Sequence, residues 1–252
     1  MNVTFDFAGK NFAVIGATSG IGRQVALELV GGGANVLVVG RNLERLDALK
    51  KINPQKIFNA ALDVTTATAD DWAKIFDEFK NIFGKIDGGV YSAGIVGQTP
   101  LNSFDKNLAH KIFDTSFWGA VDFMQIAARK KFSNGGASFV LMSSIAADYG
   151  GKSLFAYAAA KAAVKGVVVP LAKEIIRNRH RINSVAPALI QTEMATSHAE
   201  TASDEIAPRH LLGVGKPADV SGLILFLLSD RANLITGQNF LVDGGYLIGS
   251  VI

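Results

Sequence analysis

The feature that most constrains the fold is an alternation of short, continuously apolar runs with longer stretches of helical periodicity. The apolar runs occupy residues 12–16, 35–40, 56–62, 88–94, 137–144, 182–186 and 239–245. Because they are apolar throughout and do not alternate with polar residues, they are typical of parallel strands covered by helices on both faces. The pattern predicts an α/β chain with a doubly wound, seven-stranded parallel sheet of the Rossmann type.

Composition favours a single globular domain. The 252 residues are 49% hydrophobic and 19% charged, and no Pro/Ser-rich linker, low-complexity tract or repeat divides them. A chain of this length is commonly one α/β domain, so we expect a single Rossmann-type domain over 1–252. The least regular region, about 188–216, is polar and lies between two strands. Such a segment is typical of a mobile loop over a substrate site.

Charge and residue usage argue against several classes of protein. The formal net charge is only +3 and the lysines and arginines are scattered, which disfavours a nucleic-acid partner. With no cysteine and four widely spaced histidines, the sequence predicts no thiolate chemistry and no metal site. The first ten residues do not read as a secretory signal, and no apolar run is long enough to cross a bilayer. We therefore expect a cytoplasmic protein that binds neither a metal nor a membrane.

The first strand is followed at once by the glycine-rich segment GATSGIG, which opens a helix. Glycines let the backbone approach a pyrophosphate closely, and the N–H groups and positive end of the helix favour the anion. Alone, such a cluster is often only a tight turn. Here it belongs to the first strand–turn–helix unit, where a dinucleotide fold binds its cofactor. Gly16, Gly20 and Gly22 are therefore predicted to hold a dinucleotide.

The end of the second strand indicates which dinucleotide is bound. A NAD site usually presents Asp or Glu to the ribose diol there, but this chain has Gly40-Arg41-Asn42. Arg41 suits a 2′-phosphate by its charge and its forked hydrogen bonding, so NADP(H) is the preferred cofactor and NAD(H) the alternative. The competing interpretation is a solvated arginine at a strand end.

The motif YAAAK places a phenol and an ammonium together. If a helix begins near Ser153, Tyr157 and Lys161 lie on one face, one turn apart. A nearby ammonium favours the phenolate, so we expect Lys161 to lower the pKa of Tyr157 and make it a proton donor or acceptor near neutral pH. A hydroxyl from the preceding strand end could hold a carbonyl oxygen. The alternative is that Tyr157 is a core aromatic and that Ser143 and Ser144 satisfy backbone groups.

Together these motifs resemble the short-chain dehydrogenase/reductase family, and in particular its compact, 3-oxoacyl-[acyl-carrier-protein] reductase-like branch, over essentially the whole chain. Besides the glycine turn, Asp63-Val64 follows the third strand, Ala93-Gly94 follows the fourth, and YAAAK begins thirteen residues beyond Ser144. The segment NSVAPALIQTEM resembles the family's stretch beneath the nicotinamide, and ITGQNFLVDGG resembles its last strand.

The resemblance implies an oxidoreductase that interconverts a carbonyl and a secondary alcohol by hydride transfer. By this resemblance Tyr157 is the acid/base, Ser144 orients the substrate oxygen, Lys161 binds the nicotinamide ribose, and Ser116 stands where the family has a catalytic asparagine. The cofactor-binding residues that it implies are Gly16, Thr18, Ser19, Gly20, Ile21, Gly22, Arg41, Asp63, Val64, Ala93, Gly94, Tyr157, Lys161, Pro187, Ile190 and Thr192.

Three positions depart from the family pattern. Tyr91-Ser92 replace two asparagines, which removes amides expected to brace the sheet near the cofactor. Ser116 offers fewer hydrogen-bonding groups than the usual asparagine, so we expect the water-mediated proton relay from Lys161 to be slower or rerouted. Ala188 takes the place of a glycine after Pro187, which we expect to be a mild backbone change.

These departures keep more than one function open. The leading hypothesis is an NADP(H)-dependent enzyme acting on a small-molecule carbonyl or alcohol. The alternative is an NADP-binding regulatory or sensor protein with little turnover, and a sugar epimerase or dehydratase is a third hypothesis. The family commonly forms homotetramers, and the apolar end at 246–252 fits a homotetramer or homodimer. The residues do not distinguish a 3-oxoacyl thioester from a ketone, a sugar or a steroid.

Overall fold

The structure, a computed structural model, describes residues 4–196 and 209–249. Its strands are β1 (Asn11–Ile15), β2 (Asn35–Gly40), β3 (Ile57–Ala61), β4 (Ile86–Tyr91), β5 (Ser133–Met142), β6 (Arg181–Pro187) and β7 (Asn239–Val242). Its helices are α1 (Gly20–Gly31), α2 (Leu43–Ile52), α3 (Ala69–Phe83), α4 (Lys106–Phe113), α5 (Gly119–Ala127), α6 (Phe155–Ile175), α7 (Glu193–Thr196), α8 (Pro217–Leu228) and α9 (Tyr246–Gly249). A π-helical turn over Asp114–Trp118, called the π-turn below, joins α4 to α5.

The strands form one sheet in the order β3-β2-β1-β4-β5-β6-β7, and every pairing is parallel. The predicted doubly wound, seven-stranded parallel sheet is confirmed over the described residues. The chain begins at β1, runs outward to β3 and returns to the other side at β4. This reversal opens a crevice at the carboxyl ends of the central strands, where such folds bind their ligands.

Helices on both faces explain why the strands are apolar throughout. Val14 and Val140 belong to one buried cluster, which is covered by α1 and α8. Their neighbours Ile15 and Leu141 belong to the other cluster, which is covered by α3, α5 and α6. Because successive strand residues point to opposite faces, both sets must be apolar to be buried.

Helix α6 carries the phenol and the ammonium of the YAAAK motif. It begins at Phe155, close to the expected start at Ser153, whose backbone is left-handed with φ 63°. By length and composition alone the stretch 155–178 could also span a membrane. In the fold, α6 supplies Val164 and Val168 to a buried cluster, as the central helix of a globular protein does.

The expected mobile loop at 188–216 is only partly described. Residues 197–208 lie outside the described residues. At one end of the loop, Ile190 forms a parallel bridge with Gly215. The backbone N–H of Leu189 donates to the buried ring of His210 across 3.3 Å. The described ends of the loop are therefore joined to each other beside the carboxyl edge of β6.

Candidate active site

The residues expected at the site converge on one edge of the sheet. Each follows the end of a different parallel strand: Gly16 after β1, Arg41 after β2, Asp63 after β3, Gly94 after β4 and Ser144 after β5. Since the carboxyl ends of parallel strands share an edge, these residues line the crevice created by the reversal between β1 and β4.

The glycine turn is shaped by backbone packed against backbone. Gly16 has φ +79°, and a Cβ there would lie 2.6 Å from the backbone nitrogen of Ala93. A Cβ at Gly22 would lie 2.3 Å from the carbonyl oxygen of Gly16. Ser19, the N-cap of α1, makes no side-chain capping hydrogen bond. The turn therefore brings bare backbone and uncapped helical N–H groups to the crevice, which fits a pyrophosphate.

Residues after β6 reach this turn from the other side. A Cβ at Gly20 would lie 3.1 Å from the methyl carbon of Thr192, so Thr192 packs against the glycine turn. A cleft of about 470 Å³ lies between the turn, α2 and α7. Arg45 and Glu193 form an ion pair of 2.6 Å between α2 and α7 at this cleft.

The region expected to hold the adenosine lies beyond β2 and β3. A Cβ at Gly40 would lie 2.7 Å from the Thr18 methyl carbon, so the glycine lets Thr18 lie against the end of β2. The carboxylate of Asp63 accepts hydrogen bonds from the Thr65 N–H at 3.0 Å and the Thr65 hydroxyl at 2.7 Å. These bonds lower the pKa of Asp63, and the positive charge of Arg41 adds to the effect. Arg41 itself is exposed.

Ser144 and Tyr157 are brought together by the end of β5 and the first turn of α6. The Ser144 hydroxyl donates to the carbonyl of Pro187 across 3.4 Å, and it lies close enough to the Tyr157 phenol to lower the pKa of that phenol. Ser143 points elsewhere, and its hydroxyl donates to the carbonyl of Lys161 across 2.9 Å. Of the two serines, Ser144 therefore faces the phenol and Ser143 satisfies a backbone group.

Lys161 lies one turn beyond Tyr157 and is 5% exposed. Its Nζ donates to the carbonyl of Met142 across 2.9 Å and lies 5.7 Å from the centre of the Tyr157 ring. Burial lowers the pKa of Lys161 from 10.5 to about 8, because desolvation disfavours the ammonium.

The expectation that Lys161 makes Tyr157 more acidic is wrong for this structure. Burial raises the pKa of Tyr157, and the neighbouring Ser144 hydroxyl opposes that change only in part. The physical reason is that removal of the phenol from water disfavours the phenolate. The ammonium that was expected to compensate is hydrogen-bonded to the Met142 carbonyl instead.

Ser116 lies in the π-turn and faces the same place as Lys161. It is 1% exposed, and its hydroxyl has no hydrogen-bond partner among the described residues. A Cβ at Gly94 would lie 3.5 Å from the Ser116 oxygen and 3.3 Å from the Lys161 nitrogen. The hydroxyl and the ammonium therefore approach each other across Gly94. An unpartnered buried hydroxyl typically destabilises a fold by about 1–3 kcal/mol, so one retained here points to a ligand or a water.

Sequence reasoning missed two parts of this site. The Met142 carbonyl, which holds Lys161, carries no side-chain signal. The π-turn interrupts what reads as one continuous helix through α4 and α5, and Gly119 is its nearest sequence clue. At Tyr91 the structure corrects the expected loss of a brace, because the Tyr91 hydroxyl donates to the carbonyl of Thr115 within the π-turn across 2.6 Å.

The chain is similar to known families and proteins over most of its length. A family model described as enoyl-(acyl carrier protein) reductase matches residues 16–247. The 3-oxoacyl-[acyl-carrier-protein] reductase FabG of Thermotoga maritima is 32% identical over 244 residues, covering 95% of this chain and 98% of that protein. A 3alpha-hydroxysteroid dehydrogenase of Mediterraneibacter gnavus is 32% identical over 92% of this chain and 94% of its own length.

Other relatives extend the range of substrates and cofactors. An NAD-dependent glycerol dehydrogenase of Listeria innocua is 30% identical, covering 97% of this chain and 96% of that protein. Among solved structures, a short-chain dehydrogenase/reductase from Brucella melitensis superposes with a TM-score of 0.90 at 29% identity. The superposition covers 97% of this chain and 99% of that one.

Proposed function

Because the chain belongs to the short-chain dehydrogenase/reductase family, whose members are oxidoreductases that use nicotinamide cofactors, we propose that it is an NADP(H)-dependent enzyme. It interconverts a carbonyl group and a secondary alcohol. The observation that carries this proposal is the placement of Ser144, after β5, beside the Tyr157 phenol, in the first turn of α6, on the same edge of the sheet as the glycine turn.

The residues of the chain that would hold the cofactor are the glycine turn, Asp63-Val64, Gly94, Lys161 and Thr192. Bare backbone at Gly16 and Gly22 and the uncapped N–H groups of α1 fit its pyrophosphate. The bound nicotinamide supplies or accepts the hydride in this chemistry.

Proton transfer is assigned to Tyr157. Its raised pKa keeps the phenol protonated at neutral pH, so in the reductive direction it donates a proton to the substrate oxygen. The Ser144 hydroxyl, which lies beside the phenol, turns its proton from the Pro187 carbonyl to the same oxygen and orients it. The two hydroxyls together stabilise the negative charge that develops on that oxygen.

Lys161 and Ser116 would return the proton to Tyr157. A lysine with a pKa of about 8 exchanges its proton readily near neutral pH. The hydroxyl of Ser116, which has no partner in the described part of the chain, faces Lys161 across Gly94 and is suited to hold a water that continues the relay.

The preference for NADP(H) over NAD(H) rests on Arg41. The family includes a relative named as NAD-dependent, so membership alone does not select the cofactor. Arg41 is exposed at the end of β2, close enough to Asp63 to lower its pKa, and no carboxylate occupies the Gly40-Arg41-Asn42 segment. A 2′-phosphate is the group that this cation would recognise.

The broader setting is also a proposal. We infer a small-molecule carbonyl or alcohol substrate, a cytoplasmic location and a homotetrameric or homodimeric assembly. Relatives are named for 3-oxoacyl, steroid and glycerol substrates, so the substrate must be found by screening.

The test is a screen for NADPH oxidation with 3-oxoacyl thioesters, ketones and keto-sugars, followed by Tyr157→Phe. The variant should lose at least about a hundredfold in kcat because it lacks the proton donor, while its Kd for NADPH changes less than about threefold. Tyr149→Phe, which removes an exposed phenol five residues beyond Ser144, should keep its turnover. Full activity in Tyr157→Phe overturns the acid/base assignment, and NADPH binding without turnover on any substrate supports the sensor.

A further inference from the structure

The buried phenol of Tyr91 makes a hydrogen bond for which the proposed reaction has no direct use. Tyr91 ends β4, is 1% exposed and packs its ring against Phe123 with 6.0 Å between centroids. Its hydroxyl donates to the backbone carbonyl of Thr115 across 2.6 Å. Burial, together with the negative charges of Asp122 and Asp63, raises the pKa of Tyr91 far above its ordinary value. The phenol is therefore a permanent donor.

The acceptor of this bond belongs to the π-turn. There the N–H of Gly119 bonds to the carbonyl of Asp114, five residues back, so the regular helical pairing is shifted. Buried carbonyls displaced from a helical ladder need other donors. Thr115 receives such a bond from β4, a different element of the fold.

The next residue, Ser116, carries the hydroxyl that faces Lys161 and that no other described residue hydrogen-bonds. A Cβ at Gly94 would lie 3.3 Å from the Lys161 nitrogen and 3.5 Å from the Ser116 oxygen, so both polar atoms border the space above Gly94. A shift of the π-turn by a fraction of that distance would change what fits there. The bond from Tyr91 is made one residue away from the group whose placement matters most.

Gly119 leaves the space that the Tyr91 hydroxyl occupies. A Cβ at Gly119 would lie 2.2 Å from the Tyr91 hydroxyl oxygen and 3.2 Å from the Asp114 carbonyl oxygen. A real Cβ is not found so close to another heavy atom, so any other residue at 119 would displace the phenol. The tyrosine and the glycine therefore form a complementary pair, one on β4 and one at the end of the π-turn.

We propose that Tyr91 is a positioning residue that fixes the π-turn so that Ser116 faces Lys161 across Gly94. It acts at the position where the family usually has an asparagine. The proposal deepens the function assigned above, since the relay through Lys161 is what the placement of Ser116 serves.

The first test is Tyr91→Phe, which removes the hydroxyl and keeps the ring. We expect kcat to fall about fivefold to tenfold, as for the loss of one buried hydrogen bond, with KM for both substrates within about twofold. The matched control is Phe123→Leu, which trims the ring that packs on Tyr91 and leaves the hydroxyl in place. It should lower the thermal midpoint while kcat stays within about twofold.

The second test is a double-mutant cycle between Tyr91 and Gly119. Gly119→Ala alone should lower kcat more than Tyr91→Phe, because its methyl collides with the hydroxyl. In the double variant Tyr91→Phe/Gly119→Ala, the methyl takes the place of the hydroxyl, and its nearest neighbours become the ring carbon Cζ and the Asp114 carbonyl oxygen at 3.2 Å each. Most of the collision is thereby removed, so kcat should recover toward the level of Tyr91→Phe. The double variant also removes the hydrogen bond between Tyr91 and Thr115 without leaving a cavity. It can therefore be measured in place of Tyr91→Phe if that single variant folds poorly. Equal damage by Gly119→Ala in both backgrounds would overturn the matched pair.

The third readout does not need turnover. The Cε signal of ¹³C-labelled Lys161, assigned by its loss in Lys161→Met, reports the pKa of Lys161 by NMR in the protein alone. In Tyr91→Phe, relaxation of the π-turn should admit water and raise the pKa of Lys161 by about half a unit or more, with no change in Phe123→Leu. An unchanged Lys161 pKa together with unchanged kcat overturns the proposal. A changed pKa in a protein that turns over no substrate supports it and contradicts the proposed function instead.

Discussion

The two halves of the site are built in opposite ways. At the glycine turn, backbone lies against backbone, and Gly16 and Gly22 leave no room for a side chain. At the catalytic end, Ser116 and Lys161 are buried polar side chains. The Ser116 hydroxyl has no hydrogen-bond partner within 4–196 and 209–249, and Lys161 has a lowered pKa. Shape alone determines the first half, whereas the second depends on a balance between desolvation and hydrogen bonding. Substitutions should therefore act abruptly in the first half and gradually, with pH dependence, in the second.

Gly16→Ala is expected to have the largest effect, and it tests whether the glycine turn has room for a side chain. Its Cβ would lie 2.6 Å from the Ala93 nitrogen, and its φ of +79° is strained for alanine, so we expect cofactor binding to fall by more than about a hundredfold. Gly136→Ala is the matched control, since Gly136 has φ +83° and no atom of the described residues would lie within 4 Å of its Cβ. The control should lose about 1 kcal/mol of stability through strain alone and bind NADPH normally. Titration of NADPH fluorescence would show this, and equal losses in both variants contradict the backbone cradle.

In the catalytic half, the burial of Lys161 should make the free energy of unfolding depend on pH. The pKa of Lys161 is about 8 in the folded protein and near 10.5 in the unfolded chain. Between these values the unfolded chain binds more protons, so the contribution of Lys161 to stability rises with pH across that window, and its destabilising effect is greatest below pH 8. Relative to Lys161→Met, the wild-type protein should gain up to about 3 kcal/mol from pH 8 to 10.5.

Urea denaturation of both proteins across this pH range measures that difference. The variant lacks the titrating group and shares every other one, so the difference isolates Lys161. If the stabilities of the wild-type protein and Lys161→Met changed with pH in the same way, Lys161 would be hydrated in solution. The contrast between the two halves of the site would then be lost.

The smallest expected effect belongs to the exposed margin of the cofactor half. Arg41→Asp should raise KM for NADPH about tenfold through loss of the phosphate contact and added repulsion, and change KM for NADH much less. Lys51→Asp alters the net charge equally at an exposed position on α2, so it controls for long-range electrostatics. Steady-state kinetics with both cofactors decides, and equal use of NADPH by wild type and Arg41→Asp contradicts the role of Arg41.

Most of the fold could be predicted because its signals are local. Continuous apolar runs marked the strands, and the run at 35–40 coincides with β2. The start of β5 at Ser133 was missed by four residues, since Ser133–Gly136 carries no apolar pattern. The π-turn could not be predicted from the sequence, because its shifted hydrogen bonding is a property of the backbone. The spacing of Tyr157 and Lys161 predicted their proximity, but not the burial that raises one pKa and lowers the other.

Gly94 shows how an atom that is missing can matter as much as one that is present. A single added methyl group there would lie within 3.5 Å of both the Lys161 nitrogen and the Ser116 oxygen. Gly94 carries no reactive group, but because it has no side chain it leaves room for a water or a ligand that bonds to both the Lys161 amine and the Ser116 hydroxyl. Gly94 therefore bears on proton transfer through Lys161 and Ser116, although glycine has no side-chain group that can take up or release a proton.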